Sequence, residues 1–341
     1  MAMIKSKYTV DPPSTDLLSY LLDTPYNNDG GWPESEPILL SAGNPTFPGY
    51  TLSEIKSIVK RLGNGLNRLG CKGKRVMLYG NDNLHFGLAL LGIVAAGATG
   101  NVLAASPVEY LVDRLRQLDC ETILFAPQDL NTVRAAAAEL GLSEEGLFVV
   151  DESLHAEPSN GGYVESDGIR HWSYLLEALG GEEYEWPRLS PDEAKTNIAI
   201  LIYTSGTTGT SKLAERTDYG LVGSIESALY HYNLEQTYRE TVVCQYKFSG
   251  MGFLILGLLL PLKARWKTIF PAPFDLRAFT QIVDLFKPTV YAAPKHLLRA
   301  ILALPARPDL SSIRHVPTGG AVMGFELIDE WQTVFGSQIQ S

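Results

Sequence analysis

The chain is poor in the residues that staple small secreted domains or build metal centres. Its three cysteines, Cys71, Cys120 and Cys244, lie far apart and in no metal-ligand spacing, which argues against a disulfide framework and a zinc site. A reducing, cytoplasmic setting is expected. Positive charge is also short: 28 Lys and Arg against 38 Asp and Glu leave a net charge of −10. That sign argues against a nucleic acid partner, whose phosphates favour clustered Lys and Arg. Long apolar runs are missing too. The opening residues, MAMIKSKYTVDPP, lack the apolar core of a signal peptide. The longest uncharged stretch, 83–108, is broken by Gly92, Gly97, Gly100 and Asn101 and reads as a buried helix, a turn and a buried strand, with no membrane span.

What is present fits a folded α/β protein. At 341 residues, 45% hydrophobic and 19% charged, the chain is long enough for one large or two smaller units. A helix is expected over 14–22, capped by Ser14 or Thr15. A second opens at Tyr50 and Thr51, with Leu52, Ile55, Ile58, Val59, Leu62, Leu66 and Leu69 at helical spacing, and stops at Gly70. From there strands at 76–79, 99–103, 122–125 and 147–150 alternate with helices at 84–96, 107–118 and 131–140. The same rhythm returns later, with strands at 241–244, 267–270, 289–292 and 313–316 and helices at 219–232, 276–286, 295–304 and 325–334. Such alternation predicts layered sheets with helices on both faces. Two α/β subdomains are expected, 1–190 and 191–341, the second opening with the stretch described next.

Residues 198–217, IAILIYTSGTTGTSKLAERT, stand out. An apolar strand at 198–203 delivers a hydroxyl-rich loop that ends at Lys212 and is expected to open into a helix. Gly206 and Gly209 let backbone N–H groups turn inward, Thr204, Ser205, Thr207 and Thr208 add hydroxyls, and Lys212 adds a mobile cation. The guest such a loop suits is a phosphate chain. A Walker loop is disfavoured, because Ser211 stands where its second Gly belongs and Leu213 where its magnesium-holding hydroxyl belongs.

From Tyr203 to Lys212 the stretch resembles the phosphate-loop signature of the adenylate-forming superfamily, YTSGTTGxPKG, with Ser211 in the Pro position and Leu213 in place of Gly. Other blocks fall in that superfamily's order, at Tyr50, Tyr246, 275–294 and Thr318. Together they resemble the 4-coumarate-CoA-ligase-like branch of acyl-CoA synthetases, fungal members in particular, over nearly the whole chain. The resemblance implies an ATP-dependent activation of a carboxylic acid, aryl or fatty, to an acyl-adenylate and then an acyl-CoA. It implies that Thr204, Ser205, Gly206, Thr207, Thr208, Gly209 and Lys212 hold ATP phosphates with magnesium (Mg2+), and that CoA is the thiol. Tyr246, Lys247, Gly250 and the turn Thr318, Gly319, Gly320 and Ala321 would line the acid pocket. No residue is assigned a catalytic role.

Two further positions depart from the family pattern. Lys247 follows Tyr246 where relatives place a His, and Asp218 follows Thr217 where they usually have Thr-His. A Lys in the acid pocket repels an α-ammonium group, which argues against an amino acid substrate. Relatives also continue into a YGxTE block, a TGD block and a C-terminal lid with a catalytic Lys, and none of these occurs in the sequence. Weak nucleotide binding, no thioester synthesis by this polypeptide, and self-association or a missing C-terminal partner are therefore expected. The alternative is a catalytically inactive adenylation-domain remnant that binds a nucleotide or a partner.

Overall fold

The structure, a computed structural model, describes residues 9–24, 31–44, 46–80, 84–151, 165–166, 168–178, 180–204, 211–231, 239–270, 276–320 and 322–340. Its strands, in chain order, are β1 (Leu39–Ser41), β2 (Arg75–Tyr79), β3 (Thr99–Leu103), β4 (Thr122–Phe125), β5 (Leu147–Val149), β6 (Glu165–Ser166), β7 (Ile169–His171), β8 (Ile198–Tyr203), β9 (Leu213–Thr217), β10 (Thr241–Cys244), β11 (Lys267–Phe270), β12 (Val290–Ala292), β13 (His315–Pro317) and β14 (Gln338–Gln340).

They form two sheets. One has the order β6-β7-β5-β4-β2-β3-β8-β9 and the other β1-β11-β10-β12-β13-β14. All pairings inside the sheets are parallel except β6 with β7 and β8 with β9. Parallel strands joined by helices are buried on both faces, which is why β2 reads as an unbroken apolar run after Arg75. Val76 and Leu78 join a core that also holds Val242 and Phe270 of the other sheet, while Met77 and Tyr79 face a second core under the helices Val108–Leu118 and Leu130–Leu140. A third core, with Val243, Ile269, Tyr291 and Trp331, covers the far face of the six-stranded sheet.

Local signals set two of the helix starts. Thr51 and Glu54 form a reciprocal capping box at the start of the helix Leu52–Arg68. Ser190 and Glu193 do the same for Pro191–Thr196, whose Pro sits at the first turn.

Three expectations need correction. The stretch after Lys212 is a strand before it is a helix: β9 pairs antiparallel with β8, from Tyr203 opposite Leu213 down to Ile198 opposite Thr217, and the helix begins only at Asp218. The outer edge of β8 needs hydrogen-bond partners, and β9 supplies them. At the amino end, Asp16 rather than Ser14 or Thr15 caps the helical turn, its carboxylate accepting the Ser19 N–H at 2.8 Å. The strands β1, β6, β7 and β14 carry two or three residues each and gave no periodic signal. Each sheet draws strands from both halves of the chain: β8 pairs with β3, and β1 pairs with β11.

Candidate functional site

Two features lie at carboxyl ends of strands, the edge where open α/β sheets bind ligands. The first is the loop after β8. Its neck is closed by two residues: Thr204 N–H donates to the Lys212 carbonyl at 2.8 Å, and Lys212 N–H donates to Thr204 Oγ1 at 3.1 Å. Ser211 Oγ adds a hydrogen bond to the Thr204 carbonyl. Both Thr204 and Lys212 are exposed, and no ion pair holds the Lys212 ammonium among the described residues. Ser205, Gly206, Thr207, Thr208 and Gly209, named above as phosphate contacts, lie outside the described residues.

Tyr203, the last residue of β8, is half-buried. Burial raises its phenol above the usual tyrosine range, with the Arg114 guanidinium opposing the shift.

The second feature joins the ends of β10, β12 and β13. Tyr246 follows β10, and its hydroxyl donates to the Ala293 carbonyl at 3.1 Å while accepting from Gly319 N–H at 2.7 Å. The Thr318 hydroxyl lies buried beside the same phenol. Desolvation raises the Tyr246 phenol above its ordinary range, and hydrogen bonding from Gly319 opposes this. Gly252 makes the arrangement possible, because a Cβ there would meet the Tyr246 ring at 2.6 Å. Gly320 has φ +83°, a left-handed conformation natural to glycine. Beyond the turn, Lys295 Nζ donates to the Val322 carbonyl at 2.8 Å.

Of the acid-pocket residues named from the sequence, Tyr246, Thr318 and Gly319 are brought together. Lys247 is exposed beside Tyr246, with Gly250 in the following turn, Gly320 is exposed in the turn after β13, and Ala321 lies outside the described residues. Sequence reasoning missed Ala293 and Lys295, which flank Pro294 at a helix start and carry no composition signal. It also missed the duty of Asp218. That carboxylate is buried, accepting Leu17 N–H at 2.8 Å and Asn197 Nδ2 at 2.8 Å, so it ties the N-terminal segment to the end of β9.

The chain belongs to the AMP-binding enzyme family, whose profile matches residues 44–341. That family uses ATP and acts on small-molecule carboxylic acids. A phenylacetyl-CoA ligase of Aspergillus niger is 26% identical over 221 residues, covering 63% of this chain and 38% of the relative. A 4-coumarate–CoA ligase of Vanilla planifolia is 26% identical over 311 residues, covering 88% of this chain and 52% of its own length. The chain thus spans about half the length, or less, of these relatives. Among solved structures, an anthranilate CoA ligase in complex with anthranoyl-AMP superposes with a TM-score of 0.78 at 18% identity, over 96% of this chain and 59% of that one. At that identity the likeness is one of fold.

Proposed function

We propose that this chain binds ATP at the loop closed by Thr204 and Lys212 and belongs to an enzyme that converts an aryl or fatty carboxylic acid to its acyl-adenylate and then to an acyl-CoA. One observation carries this reading: the backbones of Thr204 and Lys212, an exposed hydroxyl residue and an exposed cation with no ion-pair partner among the described residues, are hydrogen-bonded into a neck at the carboxyl end of a buried strand. Charge on transferring phosphoryl oxygens is stabilised by fixed donors and cations of this kind. The neck offers hydroxyls and a cation but no carboxylate, which suits phosphate oxygens and does not suit a magnesium ligand set. The turn joined by Tyr246 and Gly319 supports an acid pocket, and exposed Lys247 beside it disfavours substrates with an α-ammonium group.

Calorimetry with ATP tests the nucleotide part. Lys212→Ala removes a charged donor worth about 1.5–3 kcal/mol, so affinity should fall roughly tenfold to a hundredfold. Unchanged binding by the variant would sink the assignment. Pyrophosphate exchange by full-length relatives that carry the same Lys tests the substrate class: stimulation by aryl or fatty acids is expected, and stimulation by amino acids would refute the role given to Lys247.

A further inference from the structure

Arg114 is 7% exposed, and the partners its own helix gives it leave one guanidinium donor unmet among the described residues. Its Nη1 donates to Gln117 Oε1 at 2.7 Å, and Nη2 lies 3.6 Å from the Asp113 carboxylate, both on the same helix, Val108–Leu118. Nε is buried and has no hydrogen-bond partner among the described residues. The contact that leaves the helix is aromatic. The guanidinium sits 4.8 Å from the centre of the Tyr203 ring on β8, and 4.5 Å from that of Tyr110 on its own helix. Tyr203 is the residue from which the loop departs, and the next residue, Thr204, makes the hydrogen bonds that close the neck on Lys212. Burying a cation is costly, and a Leu or Met would fill the same space without that cost. What an aliphatic side chain cannot do is hold a tyrosine face by charge and planar stacking at once.

We propose that Arg114 is a positioning residue for the nucleotide loop: clamped between Tyr110 and Tyr203, it fixes the end of β8 and thereby the spacing of Thr204 and Lys212. It acts through Tyr203 and touches no ligand. The proposal rests on the reading of the loop as a nucleotide site, and its consequences are separable from that reading.

Three variants of the full chain are compared: Arg114→Met, which keeps length and loses charge; Arg114→Lys, which keeps charge and loses the plane; and Tyr203→Leu, which removes the ring beneath the guanidinium. Amide hydrogen exchange at Thr204 and Lys212 is read without nucleotide, and ATP affinity by calorimetry. Arg114→Met should speed exchange of both amides and weaken ATP binding by about tenfold, the scale of a desolvated cation–π contact. Arg114→Lys should recover part of both effects, and Tyr203→Leu should reproduce the loss and make a second change at Arg114 silent. Wild-type exchange and affinity in a folded Arg114→Met protein overturn the proposal. If Arg114→Met does not fold, Arg114→Lys decides alone, and wild-type behaviour in both readouts counts against it. If the unmutated chain binds no ATP, the nucleotide reading falls, while the exchange data still judge the clamp.

Discussion

The Tyr246 hydroxyl accepts a 2.7 Å hydrogen bond from the Gly319 N–H across 73 residues of chain. It links the segment after β10 to the turn after β13, and its donation to the Ala293 carbonyl adds the end of β12. Three neighbouring parallel strands are therefore tied at the edge where the acid is proposed to bind.

Tyr246→Phe keeps the ring and deletes these bonds. Gly319 is exposed, so its freed N–H can turn to water, and the loss in urea unfolding should be about 1 kcal/mol. Gly252→Ala should cost more, about 1–3 kcal/mol, because the new Cβ collides with the ring itself rather than a flexible tip. An alanine variant as stable as the parent would show that the ring is not held against the helix start.

Glu240 is buried at the opposite end of the same sheet. Both of its carboxylate oxygens lie 2.9 Å from Arg314 Nη2, and one also accepts from the Thr289 hydroxyl. Arg314→Met leaves that carboxylate without its cation and should lower the unfolding free energy by about 3 kcal/mol. Glu240→Gln introduced alongside it should restore part of the loss in chemical denaturation; strict additivity of the two changes would count against a coupled pair.

Lys263 is buried under the first helical turns, where it donates to the Tyr20 carbonyl at 3.0 Å and to the carbonyl and hydroxyl of Thr24. Desolvation, with Arg265 nearby, lowers its pKa from 10.5 to about 8. The unfolded chain then binds more protons than the native one between these values, so this group's contribution to stability is full above about 10.5 and is lost as pH falls to about 8. Relative to Lys263→Met, the parent should gain stability from pH 8 to 10 at up to about 1.4 kcal/mol per pH unit. A pH-independent difference between the two proteins would contradict the burial of a charged amine.

Cys71, Cys120 and Cys244 are all buried free thiols. Burial raises the Cys71 thiol and pushes Cys120 up to about 12. Since thiolate is the reactive form, a thiol reagent at neutral pH should modify the native chain slowly and all three sites rapidly after denaturation. Fast labelling of native Cys120 would show that its core opens.

Periodic signals are local, so the helix Leu52–Arg68 and the apolar strands β2 and β8 could be written down from side-chain spacing, and the loop from its run of Thr, Ser and Gly. Residues 213–217 defeat that method: Leu, Ala, Glu, Arg and Thr suit helix or strand, and the free edge of β8 decided for strand. β1 and β14 are three residues each and exist only because β11 and β13 offer them an edge. At the site, sequence by itself determined the residue types and the order of the blocks. Tertiary structure alone decided that Tyr246 would meet Gly319, that Asp218 would be consumed in holding Leu17 and Asn197, and that Arg114 would lie against Tyr203. Such contacts join positions remote in the chain, and their energy comes from burial and hydrogen-bond geometry that no local pattern encodes.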